Sequence, residues 1–179
     1  MIIETARLRL RRLDIGDADF LLALMNDPAY LEHIGDRGLR TRDRAEAYIS
    51  DVVAASYVRH GYGMYMAQLR DGGLRVGIAG LVNRPVLPDV DVGFAIARAH
   101  WGRGYAGEAA GGVLAHAARD LGLQRVVGVV APANAASIRV LEKLGLSYEG
   151  RVRLSPDDAA LLLYARDLRD LLTGAASRQ

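Results

Sequence analysis

The segment Trp101-Gly102-Arg103-Gly104-Tyr105-Ala106-Gly107 (WGRGYAG) lies between a predicted strand and a predicted helix. The first amide N–H groups of a helix have no partner inside it, and the helix dipole favours negative charge there. Glycines let a phosphate approach such a backbone closely, and Arg103 adds positive charge. The segment therefore predicts a phosphate-binding turn, which we favour over a plain strand-to-helix connection.

The same turn also spells the dinucleotide-binding pattern G-x-G-x-x-G through Gly102, Gly104 and Gly107. That pattern requires an acidic residue about 20 positions later, at the end of the next strand, to bind a ribose. Here the next predicted strand, 126–130, is followed by Ala131 and Pro132. A P-loop is excluded because no Lys-Ser/Thr pair follows the glycines. The turn is therefore still predicted to bind phosphate, but not as part of a nicotinamide-dinucleotide site.

The strand before the turn, 90–96 (VDVGFAI), has two unlike faces. Its bulky side chains alternate with an aspartate, a glycine and an alanine, as expected for a strand with a period of two. One face is therefore suited to the core. The other carries small residues and a lone carboxylate, Asp91, which leaves room for a ligand against the sheet.

Hydrophobic periodicity elsewhere predicts a single mixed α/β domain over residues 1–173, with a tail at 174–179 that we expect to be disordered. Asp71-Gly72-Gly73 is a strong hairpin signal between two of the strands. A parallel pair is expected around the crossover helix that follows the glycine turn. The predicted strands are 7–13, 62–69, 75–82, 90–96, 126–130, 148–152 and 161–168, and the predicted helices are 20–25, 41–60, 105–121 and 134–144.

Composition narrows the functional classes. The 179 residues contain no cysteine, which excludes disulfides and a cysteine nucleophile, and the four histidines lie far apart, so no metal site is predicted. The net charge is +2 and the arginines alternate with acids, which does not favour a nucleic-acid partner. No stretch approaches the roughly 18 apolar residues that cross a membrane. A soluble, cytoplasmic protein is expected.

Three blocks of the chain resemble the GCN5-related N-acetyltransferase (GNAT) superfamily, and within it the branch that acetylates ribosomal-protein N-termini. The blocks are 5–13 (TARLRLRRL), 91–109 (DVGFAIARAHWGRGYAGEA) and 134–150 (NAASIRVLEKLGLSYEG). The resemblance covers nearly the whole chain. It implies the GNAT fold, a mixed sheet of six to seven strands with a splayed parallel pair and helices on both faces, and acetyl-CoA bound without a metal.

The resemblance also implies which residues hold acetyl-CoA. The pantetheine arm would pair with the edge of strand 90–96, where a backbone N–H near Phe94, Ala95 or Ile96 polarises the carbonyl. Asn134 would contact the pantetheine, although it is also suited to be a helix N-cap, and Arg139 would reach a phosphate unless it is a solvated surface residue. The pyrophosphate would lie on the amides of Arg103, Gly104, Tyr105, Ala106 and Gly107.

Acyl transfer to an amine needs a base, an oxyanion donor and a leaving thiolate. Asp91 stands where relatives often carry a glutamate and would act through a water, unless it is a surface carboxylate; Glu108, His100 or water alone are alternatives. The family's general-acid tyrosine, seven residues after the asparagine, is replaced here by Leu141. Ser137, three residues after the asparagine, matches the serine of the resembled branch.

These expectations predict an N-acetyltransferase that acts on a protein N-terminus or a small-molecule amine by direct attack in a ternary complex. The alternative is an acyl-CoA-binding sensor or subunit with weak catalysis, because the tyrosine is missing and the carboxylate is short. The acceptor is expected between segments 27–42 and 82–89, where Arg37, Arg40, Arg42 and Arg84 favour an acidic molecule. The branch is compatible with a homodimer.

Overall fold

The sheet is the frame on which every element of the site is placed. The computed structural model describes residues 2–173, and within them eight strands form one mixed sheet in the order β1-β2-β3-β4-β5-β6-β8-β7. The predicted disordered tail, 174–179, lies outside the described residues. The strands are β1 (Ile2–Glu4), β2 (Leu8–Arg12), β3 (Met64–Leu69), β4 (Arg75–Val82), β5 (Val90–Ile96), β6 (Arg125–Val130), β7 (Ser147–Val152) and β8 (Leu161–Asp167).

Helices flank the sheet, and three of them begin at side-chain caps supplied by Asp27, Thr41 and Asn134. They are α1 (Ala18–Met25), α2 (Pro28–His33), α3 (Arg42–Tyr48), α4 (Ala54–His60), α5 (Tyr105–Arg119), α6 (Ala135–Lys143) and α7 (Arg169–Thr173). A π-helical segment, Ile49–Val53, joins α3 to α4, and short 3₁₀ turns cover Ile15–Asp17 and Arg98–His100. The predicted α/β class is confirmed.

The crossover helix α5 fixes the position of the glycine turn relative to the sheet. Its buried residues are small or branched and include Ala110, Val113 and Leu114, all at most 1% exposed. Burying the valine and the leucine contributes roughly 2 kcal/mol each, and the alanines let the helix approach β4 and β5 closely. The chain runs from β5 into this helix and from the helix into β6, and the two strands pair in parallel.

Two sequence predictions need correction. The count of six to seven strands is wrong, because among the described residues a three-residue strand, β1, pairs with β2 through Ile3 and Leu10. Such a short edge strand carries no periodic pattern. The sequence pattern also predicts no helix between residues 25 and 41, yet Pro28 begins α2, with the Asp27 side chain accepting from the Ala29 amide at 2.8 Å. Proline is tolerated there because the first helical N–H needs no partner.

Candidate functional site

β5 and β6 separate soon after they meet. Among the described residues they pair at two positions, Val90 with Val126 and Asp91 with Val127. β5 nevertheless stays paired with β4 as far as Ile96, and β6 with β8 as far as Val130. The edge of β5 that faces β6 is therefore left without a strand partner from residue 92 onward. This is the splayed parallel pair that the resemblance implies, and its free backbone groups can pair with an extended ligand.

Asp91 lies at the point where the two strands part. Its carboxylate accepts from the Val129 amide at 3.3 Å and from Nε of Arg84 at 2.7 Å. The Asp91 side chain thus takes the place of the next backbone hydrogen bond between β5 and β6. The residue is 2% exposed, which excludes the interpretation as a surface carboxylate. Burial raises the pKa of Asp91, and the charge of Arg84 opposes that rise. Asp91 is not among the residues that line the adjoining cavity.

The glycine turn at the other end of β5 presents backbone rather than side chains. Gly102 and Gly104 have φ values of +73° and +78°, a region in which residues with a Cβ are strained. Gly104 is the N-cap of α5 and has no side chain to bond the first helical amides. The amides of Tyr105, Ala106 and Gly107 therefore lack intrahelical acceptors by the geometry of a helix. These residues line the cavity, which fits them to hold a phosphate.

A clamp formed by Arg7 and Glu108 holds this turn against the start of the chain. Glu108 accepts from Oγ1 of Thr5 at 2.6 Å, from the Arg7 amide at 2.7 Å and from Nε of Arg7 at 2.6 Å. Arg7 also donates to the Arg103 carbonyl at 3.0 Å and lies over the Tyr105 ring. Desolvation would raise the pKa of Glu108, but the bonds from Thr5 and Arg7 outweigh it and the pKa is lowered. Such an occupied, ionised carboxylate is a poor base.

One cavity of about 820 Å³ joins the splayed strands to the glycine turn. Its walls come from α1, α2, the end of β5 with the turn, and α6. Of the twelve residues predicted to form the site, ten line it and two, Asp91 and Arg103, do not. The ten are Phe94, Ala95, Ile96, Gly104, Tyr105, Ala106, Gly107, Asn134, Ser137 and Arg139.

The start of α6 faces this cavity. Oδ1 of Asn134 accepts from the Ser137 amide at 3.0 Å, so the predicted N-cap is confirmed. Ser137 and Arg139 follow on the same helix, and Lys143, one turn after Arg139, also lines the cavity. Lys143 is the sole lysine of the chain, and the other basic side chains are arginines and histidines. The resemblance to the GNAT superfamily identified Arg139. Lys143 was missed, because a charged residue near the end of a helix is common and does not by itself indicate a site.

The loop that follows β5 is held in place by side chains. Nε1 of Trp101 donates to the Ile96 carbonyl at 2.6 Å, although the residue is 51% exposed. Arg98 lies over the Trp101 ring and donates to Asp27 at 3.1 Å, which ties the loop to the N-cap of α2. His100 belongs to the same loop and lines the cavity at its phosphate end, with Nδ1 buried and without a hydrogen-bond partner among the described residues.

Tyr30 of α2 forms part of the cavity wall, and sequence reasoning missed it. The ring is 8% exposed and lines the cavity. Burial raises the pKa of Tyr30, whereas the charge and hydrogen bond of Arg37 and the charge of Arg84 lower it. The signal for this residue was the Asp27-Pro28 helix start, which would have placed Tyr30 on a helix.

No helix between residues 2 and 173 combines the length and the apolar character that a membrane span needs. Within the same residues, no group of three or more His, Asp or Glu side chains is arranged to hold a metal ion.

Comparison with known proteins gives one consistent family. The acetyltransferase (GNAT) domain matches residues 7–147. Protein YkkB of Bacillus subtilis is 29% identical over 154 residues, which are 84% of this chain and 88% of YkkB. The N-acetyltransferase YoaA of the same organism is 27% identical over 154 residues, 85% of this chain and 86% of YoaA.

Solved structures agree with the fold described above. A GnaT-family acetyltransferase from Bordetella pertussis is 31% identical, with a TM-score of 0.76 over 93% of this chain and 99% of that one. An acetyltransferase from Agrobacterium tumefaciens is 28% identical, with a TM-score of 0.78 over 93% and 94%. An acetyltransferase of Salmonella typhimurium that modifies the N-terminal serine of ribosomal protein L7/L12 is 18% identical and shares the fold, with a TM-score of 0.78 over 93% and 99%.

Proposed function

The chain belongs to the acetyltransferase (GNAT) family, and we propose that it transfers an acetyl group from acetyl-CoA to the nitrogen of a primary amine within a ternary complex. One observation carries the proposal. The free edge of β5 and the backbone cradle at the start of α5 open into the same cavity of about 820 Å³. A long ligand with a phosphate at one end and an extended amide chain at the other fits that combination.

The cradle residues suit a pyrophosphate for a reason that concerns the backbone. A Cβ added to Gly104 would meet Nη2 of Arg7 at 3.5 Å and would stand on a residue with φ of +78°. We assign the pyrophosphate to the amides of Arg103 to Gly107, and the pantetheine arm to β5 between Phe94 and Ile96, near Asn134. Arg139 and Lys143 on α6 supply positive charge beside it.

In the proposed reaction the neutral amine nitrogen attacks the thioester carbonyl. A C–N bond forms, the C–S bond breaks and the CoA thiolate leaves. A backbone N–H of β5 stabilises the negative charge that develops on the carbonyl oxygen. The proton lost by the nitrogen passes to Asp91 through a water, because Asp91 lies behind the cavity wall rather than in it. Ser137 hydrogen-bonds the departing sulfur. The thiolate needs little further help to leave near neutral pH, because a thiol has a pKa near ~8.5.

The alternative is a sensor or subunit that binds acyl-CoA without turnover. Two features favour it: Leu141 stands where the family carries its tyrosine, and Asp91 is engaged by Arg84. We rank it second because the cavity extends past the cradle to Tyr30 and α2, which leaves space for an acceptor beyond the cofactor.

The experiment that tests the proposal is calorimetry with acetyl-CoA and CoA, followed by thiol release over amines and peptides that include one with N-terminal serine. Micromolar binding with thiol release and a mass increase of one acetyl group on the acceptor is the expected result. Binding without release for every amine would favour the sensor. Absence of binding to either CoA species would refute both functions.

A further inference from the structure

The free edge of β5 offers a small set of backbone groups near the glycine turn. The Ala97 N–H donates to the Val76 carbonyl of β4 at 2.9 Å. In an antiparallel pair the N–H and C=O groups of alternate residues point to the partner strand, so every second residue before Ala97 also bonds β4. The residues between them direct both groups to the opposite edge. At this end of β5 the free edge therefore consists of the backbone groups of Phe94 and Ile96.

Side chains close this edge at both ends. At the strand opening, the Asp91 carboxylate takes the Val129 amide at 3.3 Å. At the other end, Nε1 of Trp101 donates to the Ile96 carbonyl at 2.6 Å and occupies the last acceptor of the edge. The N–H and C=O of Phe94 and the N–H of Ile96 remain between the two closures.

The Trp101 indole is fixed from a second side. Arg98 lies over its ring, with Cζ 5.4 Å from the ring centroid, and donates to Asp27 at 3.1 Å. All three residues line the cavity. Trp101 is nevertheless half exposed, so burial in the core does not account for its position. An indole has one hydrogen-bond donor and no acceptor, and here that donor is spent on the strand edge.

A ligand that pairs with a strand edge can adopt more than one register. The pattern of donors and acceptors repeats every two residues, about 7 Å along the strand, so a flexible amide chain can slip by that distance. A slip toward the glycine turn would need the Ile96 carbonyl as an acceptor. Because Trp101 holds that carbonyl, the slipped register lacks a hydrogen bond.

We infer that Trp101 is a positioning residue, which ends the pairing of the pantetheine arm at Ile96 and so keeps the thioester at the Asp91 end of β5. This inference rests on the proposed function, since it concerns the register of the proposed co-substrate. The glycine turn is a second anchor, because it holds the phosphates of the same molecule. The contribution of Trp101 should therefore be largest for an acetyl donor that has no phosphates.

The wild-type protein tests the inference without turnover. Trp101 is the sole tryptophan of the chain, so a sample labelled with heavy nitrogen gives one indole N–H signal in its NMR spectrum. CoA is the probe, and calorimetry on the same sample measures its binding. The indole signal should shift when CoA binds, and its exchange with solvent should slow severalfold, because the bond to Ile96 stays and the arm covers it.

Two results of this titration would overturn the inference. Faster indole exchange in the bound form would mean that the pantetheine arm displaces Trp101 from the Ile96 carbonyl. An unshifted signal at saturating CoA would mean that the arm lies elsewhere.

Trp101→Phe tests the register itself. The variant keeps a ring beneath Arg98 and removes the donor, so the Kd for CoA should stay within about twofold. With S-acetylpantetheine as donor, kcat should fall about fivefold, the change in population that one hydrogen bond sets. With acetyl-CoA, which the cradle also holds, the loss of kcat should stay within about twofold. Tyr148→Phe is the control, because that ring is similarly exposed but outside the cavity, and it should change none of these values.

An equal loss of kcat with both donors, or a weakened affinity for CoA, would make Trp101 a structural support of the turn and overturn the inference. Thiol release by the wild-type protein reports on the proposed function alone. A shifted and protected indole without release supports the role of Trp101 and counts against acetyl transfer. Release with an indole that CoA frees supports acetyl transfer and overturns that role. If Trp101→Phe does not fold or no amine is acetylated, the wild-type indole signal decides.

Discussion

The two ends of the cavity are built from different parts of the chain. At the glycine turn the groups that face the cavity are backbone amides of consecutive residues, presented by Gly102, Gly104 and the start of α5. At the Asp91 end the polar groups are side chains from separate segments: Tyr30 on α2 lines the cavity, and the ion pair of Arg84 with Asp91 lies at the strand opening.

This difference determines how each end responds to substitution. Backbone amides do not depend on which side chains surround them, so the cradle does not depend on the side chain of Trp101. Side-chain contacts change with a single substitution. A common co-substrate with a variable acceptor is therefore the expected outcome of this construction, and each variant below acts on one end only.

Breaking the cradle should have the largest effect. Gly104→Val places a β-branched residue at a φ of +78° and brings a side chain toward the phosphate path. We expect the Kd for CoA to rise several hundredfold, from backbone strain of about 1–3 kcal/mol together with lost charge-assisted hydrogen bonds. Calorimetry measures the change. The control is Gly72→Val, at a φ of +72° in the distant hairpin, which should lower the Tm similarly and leave the Kd for CoA unchanged. If the Kd also rose in this control, backbone strain alone would account for the weaker CoA binding of Gly104→Val.

Removing the buried carboxylate should have the next largest effect, on turnover rather than on CoA binding. Asp91→Asn is expected to lower kcat by about a hundredfold, the low end for loss of a general base. Because burial raises the pKa of Asp91, the wild-type activity should rise with pH, with a midpoint above the ordinary range for aspartate. The pH–activity profile of the variant should lack this rise. Asp89→Asn, two residues earlier and paired with Arg125, is the control.

The same raised pKa has a consequence for stability. A folded state that holds the Asp91 proton more tightly than the unfolded state is favoured below the unfolded pKa. This contribution is lost as the pH rises through the folded pKa, so Asp91→Asn should flatten that part of the Tm profile. A variant with unchanged kcat and an altered Tm would make Asp91 a structural group at the strand opening and remove it from the chemistry.

The smallest effect is expected at Ser137. Ser137→Ala should lower kcat about threefold, because a thiolate leaves near neutral pH with little assistance. The amide of residue 137 still donates to Asn134 in this variant, so α6 keeps its cap and CoA binding is preserved. Steady-state kinetics at saturating CoA measures the change; an unchanged kcat would remove Ser137 from the mechanism.

The grouping of residues at the glycine-turn end of the cavity was predictable from sequence because its signals are local. The glycines at 102 and 104, the alternation in 90–96 and the cap at Asn134 each belong to one short segment, and the structure places ten of the twelve predicted residues around one cavity. The Asp91 end was not. Tyr30 lies on α2, a six-residue helix that the hydrophobic periodicity does not predict. Likewise, the burial of Asp91 depends on Arg84 and on a β6 amide 38 positions away.

The clamp between Arg7 and Glu108 couples the cradle to the opposite edge of the sheet. These residues are 101 positions apart in sequence, and Arg7 follows β1 and precedes β2. A ligand that orders the amides beside Arg103 also orders the carbonyl to which Arg7 donates. By the reciprocity of linked equilibria, occupancy of the cradle and docking of the first hairpin strengthen each other by the same coupling free energy. The amino-terminal hairpin is therefore expected to report occupancy of the cradle, and the protection of its amides from hydrogen exchange should rise when CoA binds.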